Sequence, residues 1–380
     1  MSLIPSRPID SLKLKDLGSK LVYPLDEALG FDILPNKLTP RAMLEICKRV
    51  QSSSSLDSAC SSLSKETSIV ANQVTMRSVA FTIGNMIIEQ DNEETLKTLE
   101  AYADQKVPSN NYIHPTIYIS LSGSNLYIRN SELKQESISY PIQLGLIFSA
   151  ENIRFLKENL QEEEDFTKFV LTNKEFLAQI GDAETFSKRL LASAYRLVDC
   201  LPTNTVILTD ASPWIKTVKG TIFPEAKVIF DFTVLKKWLL SFAKTNLNPK
   251  EVEPWTSMVQ SYFRNSHTLE ALAEIKLVSE SRFRRFNFLL KTLESHQDNL
   301  DYATFVKNGY LIGTGAVEES QRDALRERLT QQGMRWTQKS GQIILTLMSK
   351  SLSGRWESDV EALVLKKFCR NAPNPNIHYN

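Results

Sequence analysis

From Thr39 to about Asp104 the apolar residues recur at helical spacing. Thr39 and Pro40 form a cap ahead of the helix-favouring RAMLEICKRV, and Met43, Leu44, Cys47 and Val50 share one face of it. A second helix begins near Ser55 with Leu56, Ala59, Cys60 and Leu63 on its buried stripe. Past the turn-like Ser64 to Ser68, a third runs through NQVTMRSVAFTIGNMI. Helix, turn, helix is the outline of a DNA-reading element, whose later helix would offer Gln73, Thr75, Met76 and Arg77 to a major groove. A structural hairpin or a dimerisation element has the same outline, and the single arginine of that turn does not separate the two readings.

The period changes after Pro115. TIYISLSGSNLYIRN alternates apolar and polar residues about Ser-Gly-Ser-Asn, which predicts two strands joined by a tight turn, and SISYPIQLGLIFS and a short FTKFVLT extend the sheet. The amphipathic AETFSKRLLASAYRLVDC then leads into NTVILTDASPWI, a buried strand ending in Asp210. KVIFDF brings Asp231 to the end of the next strand, and VLKKWLLSFAK continues as a helix. Strands first and strand–helix alternation afterwards describe an α/β domain.

Residues from about Pro249 to His296 read as helical throughout. Within them SRFRRFNFLLKTL interleaves Arg282, Arg284 and Arg285 with Phe283, Phe286 and Phe288. Arginines on phosphates with aromatics on bases would give that pattern, and so would an amphipathic helix with its phenylalanines in the core. In GYLIGTGAVEESQRDALRERLTQQGMRWTQKSGQIILTLMSK a glycine-rich turn feeds a charged helix, a Gly-Met-Arg-Trp segment and a further helix. The predicted divisions are a helical region at 1–110, the first part of an α/β core at 111–248, a helical insertion at 249–300, and the rest of the core with its tail at 301–380.

Composition narrows the chemistry. The 380 residues are 42% apolar, enough for a buried core, and 45 basic against 44 acidic residues leave a net charge of +1. No global field draws this chain to nucleic acid or membrane, so a DNA-binding surface has to be a local patch. Between Gln321 and Arg370 there are ten Lys or Arg against five Asp or Glu, which is either such a patch or a solvated helix face. Cys47, Cys60, Cys200 and Cys369 form no CxxC pair, and the four histidines (His114, His267, His296, His378) are scattered, so zinc sites and Cys-His dyads have no support. Gly313-Thr314-Gly315 is too short for a phosphate-binding loop or a dinucleotide fingerprint. No apolar run approaches the roughly 20 residues of a membrane span, and a cytoplasmic location is expected, at the bacterial nucleoid if the chain binds DNA.

Two long blocks carry a family resemblance. ILTDASPWIKTVKGTIFPEAKVIFDFTVLKKWLLSFAK and DYATFVKNGYLIGTGAVEESQRDALRERLTQQGMRWT resemble, in order and spacing, the DDE-type insertion-sequence transposases of the ISKra branch. PLDEALGFDILPNKLTPRAMLEI through TMRSVAFTIG is similar to the helical region that precedes their catalytic core. The resemblance spans most of residues 24 to 348. It implies an RNase H-like mixed sheet with a helical insertion, preceded by an all-helical region.

Carried over residue by residue, Asp210 stands at the second catalytic acid, Glu318 at the last, and Asp231 at a supporting position. Asp210 and Glu318 would be the metal ligands, with Mg²⁺ or Mn²⁺ as cofactor. Strand transfer by such enzymes uses two divalent ions about 3.5–4 Å apart, which hard carboxylate oxygens hold.

The chain departs from that pattern at the first acid. Ser122-Gly123 stands where the family has Asp-Gly, and no Asp or Glu occurs between Asp104 and Glu132 to take its place. A hydroxyl supplies no negative charge to bridge two metals. Val234 replaces the family's histidine, and the upstream zinc-binding cysteines do not occur in this sequence.

The leading expectation is therefore a transposase-derived DNA-binding protein with little or no nuclease activity. It would contact DNA through Gln73, Thr75, Arg77, Arg322, Arg326, Arg328, Arg335 and Lys339, and it could form a homo-oligomer. The alternatives are an active metal-dependent enzyme using Asp210, Glu318 and Asp231, and a protein-interaction module that binds no nucleic acid.

Overall fold

The computed structural model describes residues 14–15, 21–22, 38–104, 115–129, 137–155, 169–198, 204–280, 287–330 and 336–368. Arg282, Phe283, Arg284, Arg285, Phe286, Arg335, Cys200, Cys369 and the tail from Asn371 lie outside them. The chain divides into two compact units, one of residues 1–94 with 333–380 and the other of residues 95–332.

The first unit is helical, with in addition a two-residue antiparallel ladder between β1 (Leu14–Lys15) and β2 (Leu21–Val22). Helix α1 (Pro40–Ser52) opens as its sequence dictates. The Thr39 hydroxyl accepts the Ala42 amide at 3.3 Å, Pro40 stands in the first turn, and Met43, Ile46 and Cys47 are wholly buried. Ser55 caps α2 (Leu56–Glu66) in the same way, and α3 (Gln73–Asp104) follows. The Asn72 side chain caps that helix by accepting the Thr75 amide at 2.9 Å.

The second unit carries the sheet. Strands β3 (Ile117–Arg129), β4 (Ser137–Ser149), β7 (Glu175–Ile180), β8 (Thr205–Thr209) and β9 (Lys227–Phe230) lie in the order β7-β4-β3-β8-β9. The first three run antiparallel to one another, and β8 and β9 are parallel to β3. Numbered along the sheet as third, second, first, fourth and fifth, with a helix after the third, this is the RNase H-like arrangement. The helix is α4 (Ala183–Val198), whose Phe186, Leu190, Leu191 and Ala194 cover Ile117, Ile119, Leu121 and Ile207. Each of the buried Leu, Ile and Phe side chains among these stabilises the unit by about 1.5–3 kcal/mol.

Short α5 (Ile215–Thr221) leads into β9, and α6 (Phe232–Asn246) leaves it. The expected helical insertion follows as α7 (Pro249–Arg264), α8 (Thr268–Glu280) and α9 (Asn287–Glu294). Helices α10 (Tyr302–Lys307) and α11 (Ala316–Thr330) complete the unit. The chain then adds α12 (Gln338–Leu352), a π-helical turn at Trp356–Glu361 and α13 (Ala362–Phe368) to the first unit. There the Lys350 ammonium is buried between Asp91 and Asp359 at 2.6 and 2.8 Å.

Two readings of the sheet need correction. TIYISLSGSNLYIRN is one strand, not a hairpin: β3 stays extended through Ser122, Gly123 and Ser124 and pairs with β4 along its whole length. Gly123 is present for close approach and not for a turn, since a Cβ there would meet Ser212 Oγ at 2.7 Å and Trp214 Nε1 at 2.9 Å. The FTKFVLT strand, β6 (Phe169–Leu171), pairs with β5 (Ile153–Phe155) in a separate ladder, and the edge of the main sheet is β7, which the sequence reading passed over.

Candidate functional site

Alternation along β3 sends Ile117, Ile119 and Leu121 toward α4, and Tyr118, Ser120 and Ser122 to the opposite face. On that face three serines, Ser120, Ser122 and Ser124, fall at alternate positions, and the first two belong to the site. Both are wholly buried.

Ser122 lies beside Asp210. The parallel register pairs Leu121 with Thr209, so Ser122 and Asp210 follow at the same level on neighbouring strands. The Asp210 amide donates to Leu121 O at 3.3 Å, and its Oδ2 accepts the Gly123 amide at 2.9 Å. Oδ1 accepts the Ser212 amide, also at 2.9 Å. That second bond depends on Ala211 at φ 62°, a left-handed conformation more natural to glycine, and the Thr209 hydroxyl holds the Ala211 amide at 2.8 Å. Ser122 Oγ, by contrast, is buried without a hydrogen-bond partner.

Asp231 has a different setting one strand further. It is the N-cap of α6, where Oδ1 accepts the amides of Thr233 at 2.8 Å and Val234 at 3.4 Å. The Thr314 amide reaches the same carboxylate at 3.1 and 3.2 Å, and the Thr314 hydroxyl donates to Oδ2.

Arg322, wholly buried on α11, places one guanidinium nitrogen 3.5 Å from Asp231 Oδ2, and the same nitrogen donates to Glu319. Its other terminal nitrogen donates to Ser120 Oγ at 2.8 Å, and Ser120 meets Thr314 Oγ1 at 2.6 Å. Burial pushes the Asp231 carboxyl above the usual range despite Arg322. Burial also acts upward on Glu319, but Arg322, Arg326 and Lys237 together outweigh it and hold that carboxyl below the usual range.

Glu318 has a lysine partner. Its Oε1 accepts from Lys174 Nζ at 3.2 Å, and Lys174 also donates to Gln321 at 2.9 Å. Lys174 precedes Glu175, which pairs with Ile147 and through it with Ile119, so its backbone stands at the level of Tyr118, about four residues before Ser122. Glu318 Oε2 is buried and makes no hydrogen bond.

These residues do not fit a pair of divalent ions. Among the described residues no three His, Cys, Asp or Glu side chains gather closely enough to hold a metal. Both Asp210 oxygens are engaged by backbone amides, and a guanidinium already stands between Asp231 and Glu319.

The residues expected to touch DNA are divided. Arg322 and Arg328 are buried, and burial pushes the Arg328 guanidinium below its ordinary range. Arg326 is turned to Asp323 at 2.7 Å and Glu319 at 3.4 Å, so most of the basic face of α11 is spent inside its own unit. In the other unit Arg77 and Lys339 are exposed, Thr75 is half-buried, and exposed Gln73 donates to Asp57.

Sequence reasoning missed Ser120 and Lys174 and gave Thr314 and Glu319 no role, preferring Glu318. Two signals were available: hydroxyls at alternate positions of a buried strand, and Glu319 and Arg322 at the i,i+3 spacing that brings helix side chains together.

No family model matches the chain, and no curated protein matches it. Among solved structures it is similar to a chain of the Drosophila P element transposase strand transfer complex. The identity is 10% and the TM-score 0.26, with 93% of this chain and 95% of that one covered. No described helix is long and apolar enough to cross a membrane.

Proposed function

We propose that this chain is a transposase-derived DNA-binding protein whose RNase H-like core does not cut or join strands. One observation carries the reading: at the level where Asp210 ends β8, the neighbouring strand presents the neutral, unpartnered Ser122 hydroxyl in place of a carboxylate. A hydroxyl brings no charge with which to bridge metals, and among the described residues no three His, Cys, Asp or Glu side chains gather to hold one. The resemblance of the Asp210 and Glu318 blocks to ISKra-branch transposases supports descent from a strand-transfer enzyme. DNA contact is assigned to the helical unit, where Arg77 is exposed at the start of α3.

Fluorescence anisotropy with a labelled duplex tests the binding half of the reading. Affinity should fall steeply between 50 and 200 mM salt, as phosphate contacts require, and Arg77→Ala should weaken binding and flatten the salt slope by about one unit. No binding at moderate salt would favour a protein-interaction module instead. The active-enzyme alternative predicts Mg²⁺- or Mn²⁺-dependent nicking that Asp210→Ala and Glu318→Ala abolish.

A further inference from the structure

A cleft of about 380 Å³ lies in the helical unit where the last turns of α1 and α12 meet the π-helical turn. Gln51 and Ser52 line it from α1, Ser351 from α12, and Trp356 from the first position of the π-helical turn. The Gln51 amide donates to Ser351 Oγ at 3.3 Å and ties the two helix ends together. A volume of that size takes a small molecule or one long side chain. Such π-helical turns are rare and gather at functional sites.

The surroundings are short of positive charge. Arg49 is shared between Glu45 at 2.8 Å and Glu66 at 2.6 Å, and the other lining acid, Glu357, is exposed and makes no ion pair with the described residues. Both helices end here, and the backbone dipoles add partial negative charge at a helix C-terminus. Lys48 is the remaining lining cation and has no carboxylate partner among the described residues. Its ammonium lies over the Trp356 ring, 5.9 Å from the centroid. That is the outer edge of the roughly 6 Å within which a ring face holds a cation. The chain's own lysine thus stands where a cation fits, and it is held loosely.

Trp356 also lacks an acceptor. It is 5% exposed, and its Nε1 is buried without a hydrogen bond. A bare amine leaves that donor unanswered, whereas an arginine or lysine within a peptide brings a cation and carbonyl oxygens together.

We propose that this cleft receives the arginine or lysine side chain of a basic peptide, its cation against the Trp356 ring and beside Glu357, and that Lys48 is the internal occupant it displaces. Lys48 is exposed, so moving it off the ring disturbs no packed core. The inference stands apart from the reading of the α/β core and from DNA contact through α3.

The test is a titration of the full-length chain with N-acetyl-arginine amide, followed through the indole N–H resonance of Trp356, which Trp356→Phe assigns. The wild type should give a saturable shift, and the neutral N-acetyl-glutamine amide should give none. Lys48→Ala bares the ring and should tighten binding about two- to fivefold. Lys65→Ala, which removes an equal charge elsewhere on the unit, should leave it unchanged, and Glu357→Gln should weaken it. Lys48, Lys65 and Glu357 are all exposed, so these variants keep the fold.

The proposal is overturned by any of three results: no shift in either the wild type or Lys48→Ala, an equal response to the glutamine derivative, or binding that Lys48→Ala leaves unchanged or weakens. None of them touches the account of Ser122.

Discussion

Asp210 and Asp231 each follow the last residue of a parallel strand, one strand apart, yet the fold uses them differently. Asp210 is half-buried; one of its oxygens shapes the turn after β8 through Ser212 and the other accepts the Gly123 amide of β3. Asp231 is 1% exposed and is held at once by a helix start, a threonine and an arginine. A carboxylate at the end of a strand is thus not by itself a metal ligand. What decides its role is whether its neighbours leave its charge available, and here the neighbours of both aspartates spend it.

Replacing each aspartate should expose that difference. Asp231→Ala takes one of two carboxylates from a buried guanidinium and removes a cap, and is expected to cost about 3–5 kcal/mol in urea unfolding. A loss below about 1 kcal/mol would mean that the network contributes little. Asp210→Ala forfeits two partly solvated amide bonds and should cost about 1–2 kcal/mol, so the two variants should be well separated.

Acidity sharpens the contrast further. Glu319 has its folded carboxyl held below the usual range, so its contribution is present above the ordinary glutamate titration and is lost as the pH falls through the folded value. Asp231, held above the usual range, acts with the opposite sign: folding favours its protonated form, so its contribution weakens as the pH rises through its ordinary range. Glu319→Gln should therefore remove part of the acid-side loss of stability, and an unchanged pH profile would argue against the pairing with Arg322.

The smallest expected effect is a gain. Ala211→Gly relieves a left-handed alanine and should stabilise the chain by about 0.5–1 kcal/mol, net of the extra freedom glycine gives the unfolded chain.

Much of this architecture was legible in the chain. Caps at Thr39 and Ser55, the helical stripes, and the buried strands ending at Asp210 and Asp231 all follow from local rules, because local hydrogen bonds and amphipathic faces form them. What failed was non-local. Ser-Gly-Ser-Asn has the composition of a turn, but Gly123 is there so that Ser212 and Trp214, 89 and 91 residues further on, can pack against an unbroken strand. The arginines of α11 read as a basic face because nothing in the sequence said that Asp231, Ser120 and Glu319 would receive Arg322.

The most direct test of the silenced core is nicking of supercoiled plasmid in Mn²⁺ by the wild type, Asp210→Ala and Ser122→Asp. The wild type and Asp210→Ala should be equally inert, and Ser122→Asp should lower Tm in EDTA, because a second carboxylate beside Asp210 is buried with it. Mn²⁺-dependent nicking by the wild type that disappears in Asp210→Ala would contradict the account.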